Sequence, residues 1–219
     1  NGCQSLTNVV LPPSLQSIKY NTFNGCSSLQ KITLPSTITS IGQNSFEKCT
    51  SLSEIEIPSS VKTIQNLAFV DCSSLEKISI PSLITLIGFS AFRNCTSLKH
   101  IIIPSSINVI NDFLFCRCES LTELKIPSSV SSIRKYAFEK CKSLKKISIP
   151  SSIKSIEEGA FLECSSLSEI SIPSSVTKIC ANTFKGCKSL LNISIQSVKM
   201  IGNNAFYECT SLANLSIPS

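Results

Sequence analysis

Apolar and polar residues alternate along this chain in a unit of about 23 residues that repeats from end to end. Each unit carries a phenylalanine, a cysteine three residues later, then Ser-Leu, an Ile-x-Ile pair and usually Pro-Ser. A period in the twenties with this Leu and Ile spacing is typical of a leucine-rich repeat solenoid. The phenylalanines that mark the period are Phe23, Phe46, Phe69, Phe92, Phe115, Phe138, Phe161, Phe184 and Phe206.

The residues of one unit predict how it folds. In SLSEIEIP, Ile55 and Ile57 alternate with Glu54 and Glu56, a pattern that favours a strand with one buried and one exposed face. The proline that follows lacks an amide donor and ends the strand. On the return side, the Phe and the Cys three residues apart suit a turn of helix or 3₁₀ helix.

One unit alone cannot bury these apolar side chains, but stacked units can. We therefore predict a single curved solenoid over residues 1–219, with about nine to ten repeats. A parallel β-sheet is expected on the concave face, with short strands, 3₁₀ turns or helical turns on the convex side. Both ends fall within the repeat, so we expect a piece of a longer array whose open core edges favour end-to-end self-association.

The unit IGFSAFRNCTSLKHIIIPSS at residues 87–106 resembles the BspA-like leucine-rich repeat family, and similar units cover nearly the whole chain. The resemblance implies a cell-surface or secreted protein with an adhesion or recognition role, toward host matrix proteins or host cells. A cytoplasmic location stays open. Gly42, Gly88 and Gly202 match the glycine of the family pattern, and looser turns are expected where other residues replace it: Gln65, Asn111, Arg134, Glu157 and Cys180.

Charge and composition exclude some classes of function. The net charge of +6 comes from 20 Lys and Arg against 14 Asp and Glu, spread along the chain. The densest basic stretch, KSLKK at 142–146, has no interleaved aromatic residues, so we expect no nucleic-acid groove. No apolar run approaches the roughly 20 residues of a membrane helix, so no membrane insertion is predicted for this chain.

The twelve cysteines are the most conspicuous chemical groups. Ten form a column with one cysteine per unit in the same apolar context, and we expect buried, reduced thiols rather than disulfides or a metal site. Cys116 and Cys180 lie outside this column and are expected to be more accessible. The single histidine, His100, lacks an evident nucleophile partner. No catalytic residue, cofactor site or metal site is predicted, and an enzyme is disfavoured.

The outward positions of the strands vary from unit to unit, and they are the best place to look for a binding surface. One column alternates in sign through much of the stack, which predicts ion pairs between neighbouring strands. We select a mixed patch as the candidate partner-binding face: Lys77, His100, Ile102, Glu123 and Lys125. Three glycosylation sequons start at Asn94, Asn192 and Asn214, and they matter only in a secretory route.

The function that follows is a protein-binding or adhesion module, and adhesion comes from the family resemblance alone. Two alternatives stay open. One is a structural spacer that holds a distal domain away from a surface, in which the outward residues would be interchangeable. The other is an intracellular interaction scaffold, which abundant reduced thiols would suit.

Overall fold

The structure is a computed structural model that describes residues 2–213 and 215. Its regular elements are fifteen short strands, and the described residues contain no helix. Numbered in chain order, the strands fall into two series. The two-residue strands are β1 (Ser17–Ile18), β2 (Ser40–Ile41), β4 (Thr63–Ile64), β6 (Leu86–Ile87), β7 (Val109–Ile110), β9 (Ser132–Ile133), β11 (Ser155–Ile156), β13 (Lys178–Ile179) and β15 (Met200–Ile201). The three-residue strands are β3 (Glu54–Glu56), β5 (Lys77–Ser79), β8 (Glu123–Lys125), β10 (Lys146–Ser148), β12 (Glu169–Ser171) and β14 (Asn192–Ser194).

Each repeat forms one coil, and equivalent residues of adjacent coils lie side by side in parallel strands. In β3 and β5, Glu54 pairs with Lys77 and Ile55 pairs with Ile78. The isoleucines are buried and the charged residues are exposed, which confirms the predicted alternation. We call the side of the coil that carries the three-residue strands the strand face, and the side that carries the two-residue strands the return side.

Strand pairing is not continuous along the stack. On the strand face, β3 pairs with β5, and β8, β10, β12 and β14 form a second sheet. Between the two sheets, His100 makes only an isolated bridge with Lys77. The return side is divided into β1-β2-β4-β6, β7-β9-β11 and β13-β15.

A different element runs unbroken through the stack, which we call the turn spine: the segment of each coil that leads through its phenylalanine to its cysteine. Alternate residues donate their N–H to the next coil, as in Asn44 to the Asn66 carbonyl at 3.2 Å and Phe46 to the Ala68 carbonyl at 2.8 Å. The residues between them bond three positions back within the turn. This backbone requires a left-handed residue twice per coil, for example Asn44 and Lys48 with φ of 55° and 58°.

The core consists of columns, as the repeat predicts. Phenylalanine rings of adjacent coils stack with centroids 5.2 to 5.8 Å apart, from Phe23 to Phe206. The cysteines, leucines and isoleucines of the repeat pack around this stack and are buried in the interior coils. The return side therefore takes the short-strand and turn form of the prediction, with the turn spine supplying the continuous backbone contact.

Candidate partner-binding face

All five residues of the predicted face point outward. Lys77 lies in β5, Glu123 and Lys125 lie in β8, and His100 and Ile102 lie in the gap between the two sheets. Each is exposed, and Ile102 leaves 82% of its surface accessible. An exposed isoleucine among charged groups presents apolar surface to water that a partner can cover.

The column of alternating charge is only partly neutralised. Lys31 contacts Glu54 at 3.0 Å, and Lys146 contacts Glu169 at 3.6 Å, as predicted. Lys77 also lies in register with Glu54, but the carboxylate of Glu54 bonds the ammonium of Lys31. The hydrogen bond and charge of Lys31 lower the pKa of the Glu54 carboxyl.

The charges in the middle of this column are therefore unpaired. Among the described residues, neither Lys77 nor Glu123 lies within 4.0 Å of an opposite charge. The predicted ion pairs between neighbouring strands therefore form at Lys31 and Lys146 but not at Lys77, whose register neighbour Glu54 bonds Lys31 instead. The unpaired members coincide with the face selected from the sequence, where His100 stands between them.

Two shallow grooves flank the candidate face. One, of about 650 Å³, lies near β3 and β5 and includes Lys31, Glu56 and Lys77. The other, of about 400 Å³, lies over β10, β12 and β14 and presents Ser171 and Asn192. Lys77 lines the first of these grooves, and no residue of the candidate face lines the second.

Sequence reasoning missed other exposed apolar residues. Val10 occupies the same outward column as Ile102 and is almost fully accessible. Leu83, Leu86 and Phe89 are exposed on one coil outside the strand face. The sequence does carry a signal for these three residues, because the equivalent positions of the preceding repeat are small or polar: Ser60, Thr63 and Asn66.

The cysteine column is buried from Cys26 to Cys187, as predicted, but the prediction is wrong at its ends, where Cys3 is exposed and Cys209 is half-buried. Each thiol from Cys49 onward in the column donates to the carbonyl of a phenylalanine 25 or 26 residues earlier, as Cys118 does to Phe92 at 3.2 Å. Burial raises the pKa of the Cys49 thiol to about 12 and that of Cys118 well above its ordinary value. All cysteines in the described part of the chain are free thiols.

The prediction that Cys116 is accessible is wrong. Its side chain is buried, and its thiol contacts Glu139 at 3.5 Å. Burial, followed by the charge of Glu139, raises the pKa of this thiol to about 12. Cys180 is half-buried. No group of three or more His, Cys, Asp or Glu residues suited to a metal ion occurs in the described ranges.

The sequons differ in their surroundings. Asn192 is exposed in β14, whereas the Asn94 amide is half-buried and donates to Asp71 at 2.6 Å. Asn214 lies outside the described residues. The part of the chain that the structure describes contains no helix with the length and apolar character that crossing a bilayer requires.

Comparison with known families fits these columns. The model of the BspA type leucine-rich repeat region matches residues 1–122 and again residues 108–219. The chain belongs to the BspA-type leucine-rich repeat family. Leucine-rich repeats of this kind are generally protein-interaction modules, in which the stacked coils provide an extended surface.

Several solved bacterial structures are similar to this chain over most of its length. A leucine-rich repeat protein from Bacteroides ovatus is 30% identical with a TM-score of 0.77, covering 99% of this chain and 68% of the other. A leucine-rich cell surface protein from Faecalibacterium prausnitzii is also 30% identical, with a TM-score of 0.59 and coverage of 97% and 73%. The pneumococcal vaccine antigen PcpA, 24% identical with a TM-score of 0.55 and coverage of 90% and 58%, supports the fold alone. No curated protein matches the chain.

Proposed function

We propose that this chain is a protein-binding module of a cell-surface or secreted protein, and that it engages matrix proteins or cells of a host. The surface location is supported by its similarity to the cell surface protein of Faecalibacterium prausnitzii. Host adhesion is the role that the BspA-like resemblance implies.

The contact surface in this proposal is the candidate face of Lys77, His100, Ile102, Glu123 and Lys125. The observation that carries it is the coincidence of an exposed isoleucine with the unpaired charges in the middle of an otherwise neutralised column. A partner that covers Ile102 removes apolar surface from water, and complementary charges beside it fix the orientation of the complex. Exposed ion pairs at either side of the face contribute little energy, so they are poorer contact points.

The test is binding of the purified chain to immobilised extracellular matrix proteins and to host cells. A triple variant, His100→Ser, Ile102→Ser and Lys125→Ser, removes an imidazole, an apolar side chain and an ammonium group from exposed positions of the face. A control variant, Lys146→Ser and Glu169→Ser, removes one neutralised ion pair from the same sheet. Saturable binding that the triple variant loses and the control keeps supports the proposal. Equal binding by all three proteins refutes the face.

A structural spacer is the second candidate function, and the unbroken turn spine favours it. Three backbone hydrogen bonds join each pair of adjacent coils along the described spine, independent of the outward residues. If the chain binds none of the proteins and cells tested, and the triple variant behaves as the unchanged chain in a surface-display assay, the spacer is the better assignment.

A further inference from the structure

The junction between the coil of Cys72 (residues 72–94) and the coil of Cys95 (residues 95–117) differs from the others. Its two-residue strands, β6 and β7, have no Cα atoms within 8 Å of each other. Paired parallel strands lie about 4.8 Å apart, so β6 and β7 are separated. Both strands pair normally with their other neighbours, β4 and β9.

The missing backbone bonds can be named by comparison with the next junction. There, Ser131 N–H donates to the Asn108 carbonyl and Arg134 N–H donates to the Ile110 carbonyl, both at 2.9 Å. The equivalent amides one coil earlier belong to Asn108 and Asn111, and neither makes an inter-coil backbone bond. Instead, the side-chain amide of Asn111 donates to the Ile87 carbonyl at 2.7 Å.

A second link between coils is also absent at this junction. At several other junctions, the second residue after the proline is a serine that donates to a carbonyl of the preceding coil, as Ser129 does to Ile107 and Ser152 does to Val130, both at 2.7 Å. Ser106 occupies the equivalent position, but its hydroxyl is buried without a partner. A buried hydroxyl with no hydrogen bond costs free energy, so the closed junction is destabilised.

The strand face has fewer paired backbone groups here. Lys77 and His100 form a single bridge, whereas β3 and β5 pair over three residues. The Ser97 amide donates to the Ser73 carbonyl at 3.2 Å, and Lys99 pairs with Glu76 at 2.9 Å, but an exposed ion pair of this kind contributes little energy. Among the junctions that the structure describes, this one alone lacks a paired strand on both the strand face and the return side.

The turn spine crosses the same junction intact. Ser90, Phe92 and Asn94 donate to the next coil at 2.9, 3.1 and 2.8 Å, and the rings of Phe92 and Phe115 stack 5.8 Å apart. The two coils are therefore joined along the spine and loosely connected on the other sides. This is the geometry of a hinge whose axis follows the turn segment of these two coils, across the direction in which the coils stack.

We infer that this junction is a hinge between two rigid segments, residues 2–94 and 95–213. Opening at the hinge changes the curvature of the strand face. Lys77 belongs to the first segment, and the other four residues of the candidate face belong to the second. A partner that contacts both segments fixes the hinge angle, a consequence that rests on the proposed function, whereas the hinge itself does not.

Residual dipolar couplings of the backbone amides test the hinge on the unmodified chain. In a weakly aligned sample, segments that move relative to each other fit different alignment tensors. We expect different tensors for residues 2–94 and 95–213. The matched control compares residues 95–140 with 141–186, whose junction has β8 paired with β10, β9 paired with β11 and the Ser152 bond, and which should share one tensor.

Hydrogen exchange supplies the second readout. The amides of Asn108 and Asn111 should exchange at least ~10-fold faster than those of Ser131 and Arg134, after correction for intrinsic rates. Fast exchange together with separate tensors supports the hinge. A common tensor for both segments overturns it, even when these amides exchange fast, because that combination means local fraying. Equal exchange rates also overturn it. Neither measurement needs a partner, so a failed adhesion assay leaves this test unaffected.

Discussion

Alkaline pH should unfold this protein through its cysteine column. The thiols of seven successive coils are buried, and burial raises the pKa of every one above its ordinary value: Cys49, Cys72, Cys95, Cys118, Cys141, Cys164 and Cys187. In the unfolded chain these thiols titrate near pH 8.5. Below that pH, both states keep the proton and the thiols add no pH dependence. Above it, the unfolded chain releases protons that the folded state retains, so the free energy of unfolding falls as pH rises.

The magnitude follows from proton linkage. A thiol that stays protonated in the folded state costs about 1.5–2 kcal/mol of stability at about pH 10, and seven thiols cost roughly 10–14 kcal/mol. That sum is comparable with the whole stability of an ordinary domain, roughly 5–15 kcal/mol. We therefore expect a cooperative loss of structure near pH 10 or below.

Urea unfolding followed by circular dichroism, at several pH values from about 7 to 10 under reducing conditions, checks this expectation. Thiolate absorbance, measured in parallel, should rise together with unfolding. The control is Cys118→Ala, which removes one buried thiol. It should lower stability at neutral pH and make the pH dependence shallower by up to about 1.4 kcal/mol per pH unit. An unchanged free energy of unfolding up to about pH 10, or native thiols that titrate near 8.5, would refute the reasoning.

Three further substitutions test the packing of the coils by urea or thermal unfolding. Phe115→Ala should lower the free energy of unfolding by about 3–5 kcal/mol, because the ring is buried and stacked on both sides. The loss should exceed that of Phe206→Ala, whose half-buried ring has one described stacking neighbour, and equal losses would contradict a role for the stack. Leu67→Asn should raise stability by roughly 0.5–1 kcal/mol, since Leu67 holds a φ of 59° that asparagine tolerates better; a loss would show that the leucine side chain contributes more than the strain costs. Gly88→Ala should cost about 1–3 kcal/mol, because a Cβ there would lie 2.4 Å from the Asn66 backbone nitrogen, and an unchanged melting temperature would contradict that clash.

The columns of the core could be predicted from the sequence because their signal is the period itself. Any residue that recurs every 23 positions occupies the same place in every coil, so the burial of Phe and Cys and the exposure of Glu54 and Glu56 follow from register. The positions of the ion pairs could be predicted only in part. Register brings Lys77 beside Glu54, but which lysine the carboxylate bonds depends on rotamers that the repeat does not encode.

The turn spine and the interrupted sheets could not be predicted in the same way. Leu67, Phe113 and Tyr136 adopt left-handed backbone although their side chains disfavour it, because the inter-coil bonds of the spine impose that conformation. Strand pairing depends on small displacements of peptide groups between coils. The sequence gives no clear signal for the interrupted junction: Asn111 replaces the repeat glycine there, but Arg134 replaces it one coil later and still donates its N–H to the Ile110 carbonyl at 2.9 Å.

The coil of Cys95 carries several departures from the repeat, and the solenoid architecture explains why they are tolerated. In a solenoid each coil contacts only its neighbours, so a weakened junction leaves the packing of distant coils intact. The same coil presents His100 and Ile102 outward and carries Asn111 at its return side. Because the turn spine holds the Phe and Cys columns together across this coil, its strand face is free to vary without loss of the core. A binding surface placed here gains a distinctive chemistry and adjustable curvature, while the remaining coils keep the stability of the regular repeat.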